Sequence, residues 1–376
     1  MSLLPLLLTV AMQAPSAYRI GDRAYFDASL PRLQYFGRIG MEDPSAPSFH
    51  YGGSGFKVKF EGTSIALAFE EDDWGRGNWL GFRIDGSPEI RQYLEPKSDA
   101  LYQIAVGLED TEHEMLVYRR SDAVDGMFRF KGVAIDPGKR LGWPSRRPRK
   151  RIEFFGDSVT SGVHAEAVGY EGKEDDEIGT NNLREPLVNT YWSYASMAAR
   201  MLGAEAHVNG IGGLALHDEN GWWGGSTLTG LETTYDKLSP IPSRLAPWDF
   251  SRWTPHVVVI AIGQNDGRFL DPKSDLDRQR WIGTYLQIVE SLRSHYPKAW
   301  FVLSTTILIH DPAWDELVRE VAHRRRQSGD RRVAFYRYRR AGTGTPGHAR
   351  LTENREMAAE LTRFIGSLPA VWQNTE

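Results

Sequence analysis

The hydrophobic pattern of this 376-residue chain changes once, near residue 150, and that change limits the folds that the chain can adopt. Before it, apolar and polar residues alternate in short runs such as 56–60 and 80–84, and the second run ends in an Asp-Gly pair that signals a hairpin turn. Short strands separated by turn signals predict an all-β sandwich, or jelly roll, over residues 18–140.

Beyond residue 150, continuous apolar runs alternate with helical patterns. Residues 256–262 and 300–306 are typical of buried parallel strands. Helices are predicted over 274–295 and, behind a threonine cap, over 352–365. This alternation predicts an α/β domain with a parallel sheet over residues 151–370.

Two further segments are assigned from their composition. The basic stretch 141–150 contains proline and glycine and is predicted to be a linker between the two domains. Residues 1–17 are a candidate signal peptide, because small residues follow the apolar run 3–10. No Lys or Arg precedes that run, so a short apolar strand or a misassigned start stays open as the alternative.

Composition excludes several classes of function. A formal net charge of −4 argues against a nucleic-acid partner. No run of 18 apolar residues follows the N-terminus, so no membrane span or membrane partner is expected. The absence of cysteine excludes disulfides, thiol nucleophiles and zinc sites built on cysteine. The 12 Trp and 15 Tyr mostly serve the core, but they also allow a surface that stacks on sugar rings.

Four segments with residues suited to catalysis occur in the second half of the chain. An open α/β sheet collects its functional groups at the ends of its strands. Ser158, in Gly-Asp-Ser, follows the first strand, as a nucleophile or as an ordinary helix cap. The glycines of 209–213 admit a ligand oxygen or only form a tight turn. Asn265 is an oxyanion donor or a turn residue. His348 precedes the last helix and is a candidate general base.

In this order, the four segments resemble the blocks of the SGNH hydrolases, also called the GDSL family, over residues 150–370. The resemblance implies a flavodoxin-like domain in which Ser158 and His348 are the catalytic residues. It also implies an oxyanion hole formed by the backbone N–H of Ser158, by Gly212 and by the side chain of Asn265. Gly212 is preferred for the second block, and the glycines at 210 and 213 stay open.

The first half carries its own motifs. Tyr-Gly-Gly-Ser at 51–54, Phe-Glu-Gly-Thr at 60–63 and Arg-Ile-Asp-Gly at 83–86 resemble the β-sandwich that precedes the hydrolase domain in carbohydrate esterase family two. That resemblance implies a secreted or periplasmic serine esterase that removes acetyl groups from sugar hydroxyls of polysaccharides or oligosaccharides. Its partner would be an acetylated carbohydrate, and neither a metal nor an organic cofactor is expected.

The sequence departs from the family at the base. SGNH enzymes usually place an Asp three residues before the His, where this chain has Thr345, and no Asp follows Asp330. We therefore expect a Ser-His dyad in which a backbone carbonyl orients His348. Asp157 is expected to be a structural hydrogen-bond partner, and His310 is the one rival base.

Substrate contacts are expected from Trp222, Trp223 and Asp266. Trp222 and Trp223 lie in a Trp-rich insert, 216–253, that forms a wall of the cleft or a packed surface loop. The acidic run 174–177 is expected to be solvated. Two alternative functions remain: a general short-chain carboxylesterase on the same fold, and a carbohydrate-binding protein without catalysis.

Overall fold

The structure, a computed structural model, describes residues 21–72, 77–178, 187–226 and 228–373. The candidate signal peptide at 1–17 lies outside the described residues. None of the described helices is both long and apolar enough to span a lipid bilayer.

The N-terminal half forms two antiparallel sheets that face each other. Their strands are β1 (Ala24–Asp27), β2 (Gln34–Phe36), β3 (Ile39–Gly40), β4 (Ser48–Phe49), β5 (Gly55–Gly62), β6 (Ile65–Glu71), β7 (Asn78–Ile84), β8 (Ile90–Leu94), β9 (Asp99–Ala105), β10 (Thr111–Arg119), β11 (Phe128–Ile135) and β12 (Leu141–Gly142). One sheet has the order β3-β4-β11-β6-β9, with β1 beside β11, and the other has β12-β5-β10-β7-β8, with β2 beside β5. The predicted β-sandwich is confirmed.

Alternation along the strands explains the sandwich. In β5, Phe56, Val58 and Phe60 are fully buried, whereas the intervening Lys57 and Lys59 are partly exposed. The buried rings and aliphatic side chains of both sheets form one continuous core. Strand β5 therefore presents one face to that core, as its period of two requires.

The segment predicted as a linker is partly structured. Leu141 in β12 pairs with Phe60 of β5, so the sandwich continues past residue 140. Further along, the Arg147 guanidinium donates to the backbone carbonyl of Tyr35 in the sandwich (2.6 Å) and to Glu205 in the next domain (2.6 Å). The connection is thus fastened to both domains.

The second half is a layered α/β domain. Its elements are β13 (Lys150–Gly156), α1 (Ser158–Ser161), α2 (Tyr194–Met201), β14 (Ala204–Gly210), α3 (Leu231–Thr234), β15 (Lys237–Ser239), β16 (Ala246–Pro247), β17 (Val257–Ala261), α4 (Asp275–His295), β18 (Trp300–Ser304), α5 (Ala313–Gln327), β19 (Val333–Phe335) and α6 (Leu351–Ser367). The parallel sheet has the order β14-β13-β17-β18-β19, and β15 and β16 form a separate ribbon. This order confirms the flavodoxin-like arrangement, whose switch point lies between β13 and β17.

Both faces of the parallel sheet are covered by helices. Helices α4 and α5 supply Trp281 and Trp314 to one buried cluster, and α2 and α6 supply Tyr194 and Met357 to the other. Helix α4 begins after Ser274 as predicted, whereas α6 begins at Leu351, with Arg350 at its N-cap. Sequence analysis missed α5, because arginines crowd its last turn and mask its apolar stripe.

A buried ion pair joins the two domains. The Arg38 side chain of the sandwich lies 2.9 Å from the Glu153 carboxylate of β13, and both side chains are fully buried. Arg38 Nη1 also donates to the carbonyls of Tyr235 and Lys237, at 2.8 Å each. Because separating the domains would leave each of these buried charges without its partner, this network favours one fixed placement of the domains.

A buried carboxyl in the sandwich makes stability depend on pH. Burial raises the pKa of Glu71 from 4.5 to about 8, against the hydrogen bond that Asn78 donates to it (2.8 Å). The folded chain therefore holds this proton to higher pH than the unfolded chain does. The contribution to stability is complete below about pH 4.5, declines as pH rises and is lost above about pH 8.

Replacing Glu71 by glutamine is expected to weaken that dependence. The melting temperature of the wild type should fall between about pH 5.5 and about pH 8.5, by an amount equivalent to a few kcal/mol. The melting temperature of Glu71→Gln should fall by clearly less, because glutamine does not ionise in this range. Thermal unfolding at both pH values measures this, with the exposed Glu95→Gln as control. Equal slopes for wild type and Glu71→Gln would contradict the assignment.

Candidate active site

Ser158 lies at the switch point of the parallel sheet. Strand β13 ends at Gly156, where a Cβ would come within 2.8 Å of the Ala261 carbonyl, so the chain needs glycine there. Asp157 then caps α1 by accepting from the Val159 N–H (3.0 Å). Ser158 is thus the first residue of α1, where backbone N–H groups have no partner within the helix. Its residual exposure is 6%.

The loop after β14 forms the second part of the site. The backbone N–H of Gly212 donates to Asp122 Oδ1 (3.0 Å) and is therefore occupied. This geometry corrects the choice of Gly212 as oxyanion donor. Gly213 follows with φ +75°, a left-handed conformation that favours glycine, and its N–H has no acceptor among the described residues. Gly213 is therefore the better candidate.

Asn265 follows β17, and its side chain contacts both the residue before Ser158 and the loop after β14. Its Nδ2 donates to the Leu214 carbonyl (2.9 Å), directly after Gly213, and lies 3.2 Å from Asp157 Oδ2. The Gln264 amide also donates to Asp157. Burial raises the pKa of Asp157 to about 7, despite these donors. Asp157 is thus a structural hydrogen-bond partner, as predicted. The Asn265 amide is adjacent to the cap of α1 and to the loop after β14 that contains Gly212 and Gly213, called the glycine loop.

His348 is oriented by a carboxylate and not by a backbone carbonyl. Its Nδ1 lies 2.5 Å from Asp175 Oδ2, and its backbone N–H donates to Asp175 Oδ1 (3.1 Å). The expectation of a dyad with a backbone carbonyl is therefore wrong. Thr345, at the family's usual Asp position, is buried and its hydroxyl has no partner among the described residues.

Asp175 belongs to the acidic run that sequence analysis took to be solvated, and that assignment is corrected too. Oδ1 also lies 2.9 Å from the buried Arg350 guanidinium and 3.1 Å from His164 Nδ1. Burial alone would raise the pKa of Asp175, but the hydrogen bonds from His164 and His348 hold it well below its usual range. The carboxylate is therefore ionised and can only accept, so His348 Nδ1 carries the proton in this contact.

A glycine makes room for this carboxylate. A Cβ at Gly347 would come within 2.7 Å of Asp175 Oδ1 and of the Lys173 carbonyl. A residue with a side chain at position 347 could not stand there while Asp175 occupies this place.

The same side chains are the group that could hold a metal. Among the described residues, the ligand atoms of His164, Asp175 and His348 lie within 4.8 Å of one another. The Arg350 guanidinium already supplies a positive charge to this carboxylate. The cluster therefore fits an imidazole–carboxylate pair better than a cation site, and we assign no metal to it.

The rival base is buried elsewhere. His310 Nδ1 lies 2.7 Å from the Leu308 carbonyl, and Nε2 lies 3.5 Å from Asp315 in the protein interior. Only 1% of its side chain is exposed, so it has no access to a substrate.

Two of the three expected substrate contacts are corrected. Trp223 is buried and donates to the Pro240 carbonyl (3.3 Å). Asp266 is fully buried, where its carboxylate accepts from the Leu216 N–H (3.0 Å) and burial raises its pKa to about 7. Neither can touch a substrate. The insert 216–253 is thus largely packed, since Trp248 is buried as well.

Trp222 is the exposed member of the three. It is 60% exposed, and the Arg268 guanidinium lies 3.7 Å from its ring centroid. Its backbone N–H donates to the Gly213 carbonyl (2.7 Å). A large flat side chain thus stands directly beside the glycine loop.

Sequence reasoning missed Asp175, His164, Arg350 and Asp122. The acidic run was visible, but it contacts a histidine 173 positions further along the chain. Asp122 gave no signal, because its partners lie in another domain.

Two family descriptions match the chain. "Carbohydrate esterase 2 N-terminal" matches residues 35–144, and "GDSL-like Lipase/Acylhydrolase family" matches residues 154–352. The second covers more than half of the chain and includes the segments around Ser158, Gly213, Asn265 and His348.

Two curated relatives of this chain are named as esterases. Cellulase/esterase CelE of Acetivibrio thermocellus is 28% identical over 346 residues, which is 90% of this chain but only 40% of that protein. An acetylxylan esterase / glucomannan deacetylase of Cellvibrio japonicus is 26% identical over 338 residues, which is 89% of this chain and 88% of that protein.

Solved structures agree with the fold. A family two carbohydrate esterase from Clostridium thermocellum, in complex with cellohexaose, is similar with a TM-score of 0.75 and 25% identity, over 89% of this chain and 98% of that one. A family two carbohydrate esterase from Cellvibrio japonicus has a TM-score of 0.76 at 22% identity, over 91% and 97% of the two chains. The resemblance drawn from the motifs is confirmed: the chain belongs to the GDSL-like lipase/acylhydrolase family and carries a carbohydrate esterase 2 N-terminal domain.

Proposed function

We propose that the protein is a serine esterase that removes acetyl groups from sugar hydroxyls of polysaccharides or oligosaccharides. The observation that carries this proposal is the pair formed by His348 and the ionised Asp175, in the domain where Ser158 begins α1. The names of the relatives support the acetyl group and the carbohydrate.

The reaction would proceed by two acyl transfers. His348 takes the proton of the Ser158 hydroxyl as the Ser158 Oγ attacks the acetyl carbonyl carbon. The C–O bond between this carbon and the sugar oxygen then breaks. The sugar oxygen leaves with the proton from His348. Water, deprotonated by His348, attacks the acetyl-Ser158 ester and releases acetate, which restores the serine.

Asp175 prepares His348 for both steps. Since His348 Nδ1 donates to this carboxylate, the lone pair of Nε2 is the one left for the serine proton. The negative charge also stabilises the imidazolium that forms when the proton moves. The Arg350 guanidinium, 2.9 Å from Oδ1, helps to fix the carboxylate in place.

The oxyanion would be stabilised by the backbone N–H groups of Ser158 and Gly213 and by the Asn265 amide. The first two have no acceptor among the described residues. The contact of Asn265 with Asp157, at 3.2 Å, is longer than its bond to the Leu214 carbonyl at 2.9 Å, so it is the one that would be exchanged for a contact with the oxyanion. Such a donor contributes about 3–4 kcal/mol to the stabilisation of the transition state.

Trp222 is proposed to stack on a sugar ring of the substrate. Replacing it by alanine is expected to raise KM for acetylated xylo-oligosaccharides about tenfold, because the flat apolar contact is lost. Hydrolysis of 4-nitrophenyl acetate should change by less than about twofold, since that substrate carries no sugar. Steady-state kinetics with both substrates measure the effect.

Trp143 offers a matched control. It is 62% exposed and has Arg32 5.8 Å from its ring centroid, but it lies in the connection between the domains. Trp143→Ala should leave both substrates unaffected. An equal rise in KM for the sugar substrate with both variants would remove the stacking role from Trp222.

The substrate class is tested with a panel of esters. Acetylated xylo-oligosaccharides are compared with 4-nitrophenyl esters of increasing acyl length. A preference for the acetylated sugars, with activity falling as the acyl chain grows, supports the proposal. Higher activity on longer chains of simple esters would establish a general short-chain carboxylesterase. A wild type that binds polysaccharide but hydrolyses no ester would be a carbohydrate-binding protein.

Since large polysaccharides lie outside the cell, we propose that the protein is secreted or periplasmic. N-terminal sequencing of the protein recovered from medium or periplasm tests this.

A further inference from the structure

One carboxylate of the sandwich lies inside the esterase domain. Asp122 follows β10 and caps the 3₁₀ turn Ala123–Asp125 by accepting from the Val124 N–H (3.1 Å). It is only 1% exposed, because its side chain crosses the domain boundary. Oδ1 accepts from the backbone N–H of Gly212 (3.0 Å), and Oδ2 accepts from the Ser161 hydroxyl.

These two partners belong to the two segments that build the reaction centre. Ser161 is at the end of α1, and its hydroxyl lies 3.1 Å from the carbonyl oxygen of Ser158. Gly212 directly precedes Gly213, the candidate oxyanion donor. One carboxylate therefore ties the helix of the nucleophile to the glycine loop.

The backbone of Asp122 is itself held in place from the sandwich side. The buried Arg119 guanidinium donates to the Asp122 carbonyl (2.6 Å) and to the His50 carbonyl (2.6 Å). Burial raises the pKa of Asp122, and the donors around it oppose that rise. Removing this side chain would leave the Gly212 N–H without its acceptor and the Ser161 hydroxyl with only the Ser158 carbonyl.

We propose that Asp122 is a positioning residue for the esterase reaction, through which the sandwich sets the geometry of the oxyanion hole. By occupying the N–H of Gly212, it fixes the peptide plane between Ile211 and Gly212, which directly precedes the peptide whose N–H, that of Gly213, stays free for the oxyanion. The sandwich then completes the active site and is more than an accessory domain. This inference rests on the proposed function, in which Ser158 is the nucleophile.

The test compares kcat, KM and thermal stability in the full-length chain. Asp122→Ala is expected to lower kcat for 4-nitrophenyl acetate about 10- to 100-fold, with KM within about twofold, because the loss falls on the transition state. Phosphorylation of Ser158 by diethyl 4-nitrophenyl phosphate should slow in parallel, since its phosphoryl oxygen uses the same hole. Asp122→Asn should recover most of the rate, as its amide oxygen still accepts from Gly212.

Arg147→Gln is the matched control, since it cuts a domain contact at Glu205, near the opposite end of β14. It should lower the melting temperature without changing kcat. An Asp122→Ala variant with the wild-type kcat, or Arg147→Gln with the same loss of kcat, would overturn the inference. Asp122→Ser, a smaller change with the same expected loss, serves if the alanine variant does not fold.

The Ser158→Ala variant distinguishes a failure of the proposed function from a failure of the role of Asp122. If Ser158→Ala keeps its activity, the proposed function is wrong, and the inference is wrong with it. If Ser158→Ala is inactive while Asp122→Ala keeps the wild-type kcat, only the inference fails.

Discussion

Replacing Ser158 by alanine is expected to lower kcat for acetyl ester hydrolysis by at least about 10⁴-fold. Without its Oγ no acetyl-enzyme can form, and what activity is left comes from the oxyanion donors acting on water. The fold should persist, because Asp157 caps α1 through its own side chain and does not need the serine hydroxyl. Kinetics with 4-nitrophenyl acetate and with acetylated xylo-oligosaccharides measure the loss.

Covalent labelling supplies the control for this experiment. Incubation with diethyl 4-nitrophenyl phosphate should add one phosphoryl group to the wild type and none to Ser158→Ala, as seen in the intact mass. Ser226→Ala, an exposed serine of the insert, should behave as the wild type. Labelling of Ser158→Ala with undiminished turnover would place the nucleophile elsewhere.

Replacing Asp175 by asparagine is expected to lower kcat/KM by about 10²- to 10⁴-fold. The asparagine oxygen can still accept from His348 Nδ1, but it carries no charge to balance the imidazolium. Its amide can instead turn an N–H toward the ring and favour the wrong tautomer. The loss should appear with acetylated sugars and with simple acetate esters alike, because it concerns the chemistry and not the sugar.

Asp176→Asn is the control, since it is the same substitution one position further along and on an exposed side chain. Its rates should equal those of the wild type. A kcat/KM of Asp175→Asn equal to that of the wild type would mean that the Asp175 contact is structural only.

The sequence predicted those parts of the site that depend on local pattern. Ser158 and Asn265 were found because each follows a strand whose apolar run is readable, and the parallel sheet brings such strand ends together. The choice among the glycines failed, since the neighbour that occupies the N–H of Gly212 is Asp122, from the other domain. The expected substrate contacts failed because of burial. Trp223 and Asp266 directly follow Trp222 and Asn265 in sequence, but their own side chains face the interior.

The partner of His348 was not predictable from spacing. Family patterns place that acid three positions before the base, whereas here it arrives from a loop 173 positions earlier. The lack of a side chain at Gly347 is what admits Asp175, and a glycine in a loop carries no signal of that contact.

The origin of this acid also bears on how related chains are compared. The loop that carries Asp175 lies outside the four motif segments, so an insertion or deletion there could remove the acid and leave every motif intact. An alignment restricted to the motifs would score such a chain as fully equipped. Among homologues that have glycine before the histidine, the loop after α1 is therefore the segment to inspect before catalytic competence is assigned.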